Sequence, residues 1–126
     1  MSEPIFRAWD SKNKCWLDSF FLGGSGTIYV DDSYNLGENY AMRDVDATLC
    51  RSTGLKDRNG KIIFEFDIIK SKNGIIHIVK FNENSLCAFD IKDENYYCAL
   101  YQKWIDDFQK EIIGSSLENP ELLEKK

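Results

Sequence analysis

The chain has 126 residues, which suits one domain, and its hydrophobic content of 43% and aromatic content of 13% can fill a core. Disorder over most of the length is therefore not expected. The formal net charge of −5 disfavours general binding to a nucleic-acid backbone, which normally uses a basic face. No apolar run approaches the ~20 residues of a membrane span. The acidic balance indicates either ordinary solubility or a mimic of nucleic-acid charge that binds a basic partner.

Cysteine usage points to a reducing compartment. The four cysteines, Cys15, Cys50, Cys87 and Cys98, include no C-x-x-C pair, and the single histidine cannot complete a zinc-finger pattern. The first residues, MSEP, lack the basic region and apolar run of a secretory signal. We therefore expect free thiols in a cytoplasmic protein, with no metal and no cofactor.

The first part of the chain predicts a β-hairpin. Residues 5–9 form a predicted strand, 10–14 a polar turn and 15–21 a returning strand. The glycine-rich segment 23–26 precedes the β-like residues 27–30 and not a helix. It is therefore interpreted as a connection between strands and not as a phosphate-binding loop.

A long polar loop is predicted over residues 31–40, inside a variable segment over 22–43. It carries Tyr34 and Tyr40, and long loops within compact domains are often functional. Its aspartates and asparagines do not follow the spacing of a calcium-binding EF-hand, so calcium binding is not expected.

The stretch 52–70 is central to the predicted fold. A strand over 44–52 leads into it, and Asn59-Gly60 signals a hairpin with a type I′ turn, which needs two residues at positive φ. After the turn, apolar and polar side chains alternate, which predicts one half-buried antiparallel strand. The side chains assigned to its inward face are Ile62, Phe64, Phe66 and Ile68, with Ile63 and Ile69 as apolar exceptions.

Further short strands follow, joined by tight turns. A second pair, Asn73-Gly74, precedes a strand over 75–81, and a turn over 82–85 leads to a strand over 86–91. Successive hairpins of this kind predict a meander that curls into a barrel or a sandwich. His77 is interpreted as a residue at the edge of the core, because a general base needs a partner and a pocket that the sequence does not supply.

The C-terminal third changes its period. An apolar stripe at helical spacing predicts a helix, although residues 96–101 also suit a strand. A final short strand is predicted over 111–114, and Asn119-Pro120 predicts a last helical turn. The stripe comprises Tyr97, Leu100, Tyr101, Trp104, Ile105 and Phe108.

Three segments together resemble one family. They are FRAWD at 6–10, TGLKDRNGKIIFEFDII at 53–69, and IIG at 112–114 with ENPELL at 118–123. In this order they are similar to the YopX family of small phage and prophage proteins. The family usually has glycine before the aspartate of the middle motif, where this chain has Phe66. Glycine there would suit a bend, so Phe66 predicts a straighter strand, or an extra aromatic side chain in a pocket or interface.

Together, residues and resemblance predict a single, mainly β domain over 1–126. We expect an N-terminal hairpin and variable loop over 1–43, followed by a β-barrel-like part over 44–126. The second part is an antiparallel meander that curls into a small SH3-like barrel, with one or two short C-terminal helices. The resemblance implies the barrel type and a phage context. It implies no catalytic residues.

The first functional hypothesis is a non-enzymatic binder in the cytoplasm of the host bacterium, such as a counter-defence protein that sequesters a nucleotide-type signal. Arginine or lysine would hold a phosphate and an aromatic face would stack on a base. In the other interpretation, Trp9 is core and the lysines form a solvated turn. The candidate ligand-binding residues are Arg7, Trp9, Tyr34, Tyr40, Lys56, Arg58, Lys61 and Trp104.

The second hypothesis is an acidic protein-interaction module that inhibits a host protein. Acidic segments at 31–32, 44–46, 93–94 and 106–107 motivate it. An enzyme is not expected, since the chain has one histidine and no catalytic motif. Exposed edges of a β-rich chain also predict a homo-oligomer.

Overall fold

The computed structural model describes residues 6–24, 26–31, 42–83, 85–93 and 95–123. Tyr34 and Tyr40 of the predicted loop lie outside them. The described residues fall into two compact units, one over 7–49 and one that begins at Cys50 and includes Phe6. Most of the described chain is antiparallel β-structure, which confirms the predicted fold class. No helix of the described residues is long and apolar enough to cross a membrane.

The first unit contains the predicted hairpin and a small sheet. Strands β1 (Phe6–Asp10) and β2 (Cys15–Trp16) pair antiparallel, with Trp9 opposite Trp16. The two indoles meet edge to face, 5.0 Å between ring centroids, and Trp9 is buried. Strands β3 (Phe21–Leu22), β4 (Ile28–Asp31) and β5 (Met42–Val45) form a three-stranded antiparallel sheet in chain order.

The predicted central hairpin is present, but its turn differs from the prediction. Strand β6 (Ala47–Lys56) returns as β7 (Ile62–Phe64). Gly60 donates its N–H to the Asp57 carbonyl at 3.0 Å, and the left-handed φ of 81° is at Gly60 and not at Asn59. The type I′ prediction is therefore wrong. The Asp57 carboxylate accepts the N–H groups of Asn59 and Lys61, both at 2.9 Å, and this bonding favours a longer turn closed by glycine.

The predicted single strand after this turn is interrupted at Phe66, so the expectation of a straighter strand is wrong. Strand β7 ends at Phe64, and β8 (Asp67–Lys70) begins after a turn in which Phe66 has φ 72°. The Phe66 N–H donates to the Val79 carbonyl at 2.7 Å, and its carbonyl accepts the Ser116 N–H at 2.8 Å. These bonds hold a left-handed conformation that glycine adopts more easily than phenylalanine. The break also changes the inward face, whose buried members are Ile63, Phe64, Ile68 and Ile69.

The second unit is organised by a five-stranded antiparallel sheet in the order β11-β10-β9-β8-β12. Strands β8, β9 (Ile76–Asn82) and β10 (Ser85–Asp90) are the predicted meander, and β11 (Tyr97–Ala99) extends it by one strand. Strand β12 (Glu111–Ser115) pairs with the far side of β8 through a register shift at residues 112–114. This sheet thus curls into a half-barrel, where a small SH3-like barrel was predicted.

One helix covers the concave face of this sheet. Residues 97–99 are strand, as the alternative interpretation had it, and helix α1 spans only Gln102–Asp107. The Gln102 side chain exchanges two hydrogen bonds with the Lys56 backbone, at 3.0 and 2.9 Å, which fixes the helix start to the end of β6. A 3₁₀ helix (Pro120–Leu123) ends the described chain. The buried core cluster comprises Ile63, Ile69, Val79, Ala88, Leu100 and Ile105.

Candidate ligand-binding site

A cavity of about 170 Å³ lies in the second unit, where α1 meets the concave face of the sheet. Strand alternation places His77 on the same face as Val79, and the helix places Trp104 and Phe108 opposite. Trp104 packs edge to face against His77, with 5.3 Å between ring centroids. The lining residues are Ser71, Ile75, His77, Cys98, Trp104, Phe108 and Lys110.

Lys110 is the unusual residue of this cavity. Its backbone is fixed on both sides: its N–H donates to the Ile105 carbonyl at 2.9 Å, and its carbonyl accepts the Arg58 N–H at 2.8 Å. The preceding residue, Gln109, has φ 51°, which turns the chain sharply from α1 into β12. As a result the Lys110 side chain points inward, and the residue is only 2% exposed.

The Lys110 ammonium has few partners. Its Nζ lies 3.0 Å from His77 Nδ1 and 4.5 Å from the centroid of the Trp104 ring. Within the described part of the chain, no carboxylate lies at ion-pair distance from this nitrogen. An ammonium can donate three hydrogen bonds, so two donors have no protein acceptor among the described residues. Buried charges normally pair with an opposite charge.

Burial also changes the protonation of the cluster. It lowers the pKa of Lys110 to about 8, against a smaller opposing effect of Cys98. Burial, followed by the charge of Lys110, lowers the pKa of His77 to about 4, although Asp90 acts in the opposite direction. Burial raises the pKa of the Cys98 thiol. At neutral pH the imidazole is therefore neutral, and its Nδ1 accepts a hydrogen bond from the ammonium.

These groups can bind an anion against a flat ring. The two remaining donors of Lys110 suit a phosphate or carboxylate oxygen, and the Trp104 indole offers an aromatic wall. The mouth is apolar, with Ile75 and Phe108 each 48% exposed. Among the described residues, no group of three or more His, Cys, Asp or Glu side chains is placed to hold a metal ion.

The structure separates the residues predicted from sequence. Trp104 belongs to the cavity. The turn residues, Lys56, Arg58 and Lys61, share one exposed turn around buried Asp57 and do not line the cavity.

The N-terminal candidates belong to the first unit. The Arg7 guanidinium lies 3.9 Å from the centroid of the Trp16 ring, and Trp9 is buried beside the same indole. Burial of Trp9 agrees with the interpretation of it as a core residue.

Sequence reasoning missed Lys110 and assigned His77 no partner. The sequence carries one signal for Lys110, which lies between an apolar helical stripe and an apolar strand. Both segments direct their side chains to the core, so the position favours burial of the lysine between them. The partnership itself joins residues 33 positions apart. No local pattern reveals a contact of that range.

Fold and cavity together define a small antiparallel β protein with a curled five-stranded sheet, one covering helix and a buried lysine under that helix. The YopX protein family matches residues 5–124, nearly the whole chain, so the protein belongs to the YopX family, as its motifs indicated.

Two solved structures resemble this one. Protein EF1440 from Enterococcus faecalis is 25% identical with a TM-score of 0.67, and the match covers 94% of this chain and 96% of that one. Protein yopX from Bacillus subtilis is 24% identical with a TM-score of 0.60, over 94% and 97% of the two chains, and shares the fold. Among curated proteins, none matches this chain.

Proposed function

We propose that the protein is a non-enzymatic binding protein, encoded by a phage or prophage, that acts in the bacterial cytoplasm. In this proposal it counters host defence by sequestering a small anionic signal of the nucleotide type. The observation that carries the proposal is Lys110: a buried ammonium that lines an open cavity and has no carboxylate partner among the described residues.

The cavity suits part of such a ligand. A volume of about 170 Å³ holds a phosphate group or a single ring, and the rest of the ligand would lie over exposed Ile75 and Phe108. A phosphate oxygen would accept a hydrogen bond from Lys110 Nζ. The buried ammonium would then be paired with an opposite charge, which offsets the free-energy cost of its burial. Trp104 would contact the sugar or the base.

The chemistry of the other cavity residues favours binding over turnover. His77 Nδ1 accepts a hydrogen bond from Lys110 Nζ, whereas in a catalytic triad the Nδ1–H donates to a carboxylate. Cys98 has its pKa raised by burial, so its thiol is a weak nucleophile.

Thermal unfolding of the full chain with mono- and cyclic nucleotides at pH 6.5 tests the proposal. A ligand present at 100 times its Kd would stabilise the native state by about 2.7 kcal/mol. We expect Lys110→Met to abolish this shift and Lys61→Met, on the exposed turn, to retain it. Loss of the shift in Lys61→Met alone would place the ligand at the turn predicted from sequence. No shift with any nucleotide would remove the proposal.

A second candidate function is an acidic interaction module that inhibits a basic host protein. It is favoured by Asp44 and Asp46, which are exposed at or beside the edge strand β5 and line a shallow cavity of about 260 Å³ with Asp10. Binding of such a partner would weaken with added salt and with the double change Asp44→Asn and Asp46→Asn. Indifference to salt would remove this candidate.

We also propose self-association. Strand β11 is an edge of the five-stranded sheet; its first residue, Tyr97, is 53% exposed, and Tyr96 just before it is 70% exposed. Exposed strand edges with large apolar side chains favour pairing between copies. Light scattering after size-exclusion chromatography would show an oligomer, and a monomer at micromolar concentration would contradict it.

A further inference from the structure

We propose that Lys110 is also a covalent capture site, where the amine condenses with a small aromatic aldehyde that enters the cavity and forms an imine. The proposal rests on the proposed function in one respect, that ligands enter the Lys110 cavity. It adds a different chemistry, since it uses the neutral amine and not the ammonium.

The geometry supplies what the condensation needs. The Lys110 backbone is held by hydrogen bonds from both sides, and its side chain lines the cavity. His77 Nδ1 lies 3.0 Å from Nζ and holds it at the cavity, while the proton of the ammonium passes to solvent. Trp104 and Phe108, with ring centroids 6.0 Å apart, form an aromatic wall for the body of the aldehyde.

The reaction balances without a further reagent. The ammonium passes one proton to solvent, and the Nζ lone pair attacks the carbonyl carbon, which forms a C–N bond and breaks the π bond of the carbonyl. The carbinolamine then loses its oxygen as water, which carries the two remaining hydrogens of Nζ. The product is an imine, and no oxidation or reduction takes place.

Burial supports this reactivity. With a pKa of about 8, about one tenth of Lys110 is the neutral amine at pH 7. A solvated lysine, with a pKa of ~10.4, is neutral in fewer than about one molecule in a thousand at that pH. Lys103 offers a comparison in the same chain, because its side chain is 79% exposed.

The size and lining of the cavity select the aldehyde. About 170 Å³ admits one ring, and Ile75, Trp104 and Phe108 provide apolar surface. Benzaldehyde is therefore the probe, and benzyl alcohol is its counterpart that cannot condense.

Reductive trapping with cyanoborohydride at pH 8.5 tests the proposal on the full chain. We expect intact mass to show one benzyl group per chain and peptide mapping to place it on Lys110, at least about tenfold above Lys103. Lys110→Arg keeps a cation and should lose this label. Wild-type mapping needs no variant, so the result does not depend on how the variant folds.

The pH profile separates this role from a structural one. The extent of imine formation at equilibrium should rise with pH and level off above about pH 8, the pKa of Lys110. Labels spread evenly over exposed lysines, or an unlabelled Lys110, would overturn the proposal. Nucleotide stabilisation at pH 6.5 without labelling would leave only the proposed function standing. Labelling without nucleotide stabilisation would leave only the capture site.

Discussion

Replacing Lys110 with methionine should stabilise the protein at pH 6.5. The substitution removes a buried charge that has no carboxylate partner among the described residues. Methionine keeps an unbranched apolar chain of similar length, and its sulfur packs favourably against an indole such as that of Trp104. Replacement of buried charged groups by apolar residues of similar volume is often neutral or stabilising.

The size of the effect follows from the protonation of Lys110. Moving its pKa from 10.5 to about 8 corresponds to about 3 kcal/mol against the buried ammonium. This is an upper bound, because the cavity is open and solvent screens part of the charge. The variant also loses the Nζ contact with His77 Nδ1, worth about 1 kcal/mol. We therefore expect a net gain of about 1–2 kcal/mol in the free energy of unfolding at pH 6.5.

Urea unfolding at pH 6.5 and at pH 10 provides the assay. Between pH 8 and 10.5 the unfolded wild type holds a proton that the folded protein has already released. Wild-type stability therefore rises with pH across this window, and the advantage of Lys110→Met shrinks. Lys70→Met is the matched control, because Lys70 is exposed at the end of β8. It should change stability little at both pH values.

Two results would refute this reasoning. If the variant were equally favoured at pH 6.5 and pH 10, the charge of Lys110 would not be the cause. If the variant were strongly destabilised at pH 6.5, the ammonium would already have a partner in the folded protein. The argument that the cavity binds an anion at Lys110 would then fail.

Three further outcomes follow from the same structure. At position 66, where φ is 72°, the Phe66→Gly variant should be more stable than the Phe66→Ala variant by about 1 kcal/mol. At Ala99, in a strand, the change to glycine should instead lower stability, and urea midpoints of the variants in each pair test this. Asp57→Ala should cost about 2–4 kcal/mol, because the buried carboxylate accepts three backbone N–H groups, including that of Ile112 in β12; Asp57→Asn should cost less in the same assay. The lowered pKa of His77, about 4, means that stability falls as pH drops from 6.5 to 4, and thermal unfolding of His77→Gln should show a weaker fall.

Local turn chemistry made much of the fold predictable. The two Asn-Gly pairs marked hairpins that exist, since glycine supplies the left-handed φ at residues 60 and 74. The type of turn was not predictable from the pair alone. Asp57 decides it, through bonds to its own turn and to a strand 55 residues away.

The break at Phe66 shows where pattern reasoning stops. Alternation from Ile62 to Ile68 favoured one straight strand, but backbone bonds to Val79 and Ser116 impose a turn. Both partners are distant in sequence, so the tertiary structure overrides the local preference. The glycine of the family pattern carried the correct information, and the phenylalanine in this chain adopts the backbone conformation that glycine would.

The candidate site was the least predictable part. Trp104 was identified because aromatic side chains are common ligand contacts, and Lys56, Arg58 and Lys61 were chosen because they cluster in sequence. A cluster in an exposed turn is already solvated. Lys110 gains its significance from burial and from His77, and neither can be derived from the residues beside it.

Ligand binding at this site must be linked to proton binding. An anion that contacts Lys110 favours the ammonium, so the complex has a higher lysine pKa than the free protein. Above about pH 8, binding then takes up a proton, and affinity should fall about tenfold for each further pH unit until the pKa of the complex is reached. Calorimetric titrations in buffers of different ionisation enthalpy measure this uptake directly. Affinity that stays constant from pH 7 to 9.5, with no proton uptake, would mean that the anion binds elsewhere, because no ligand can contact a titrating amine without changing its titration.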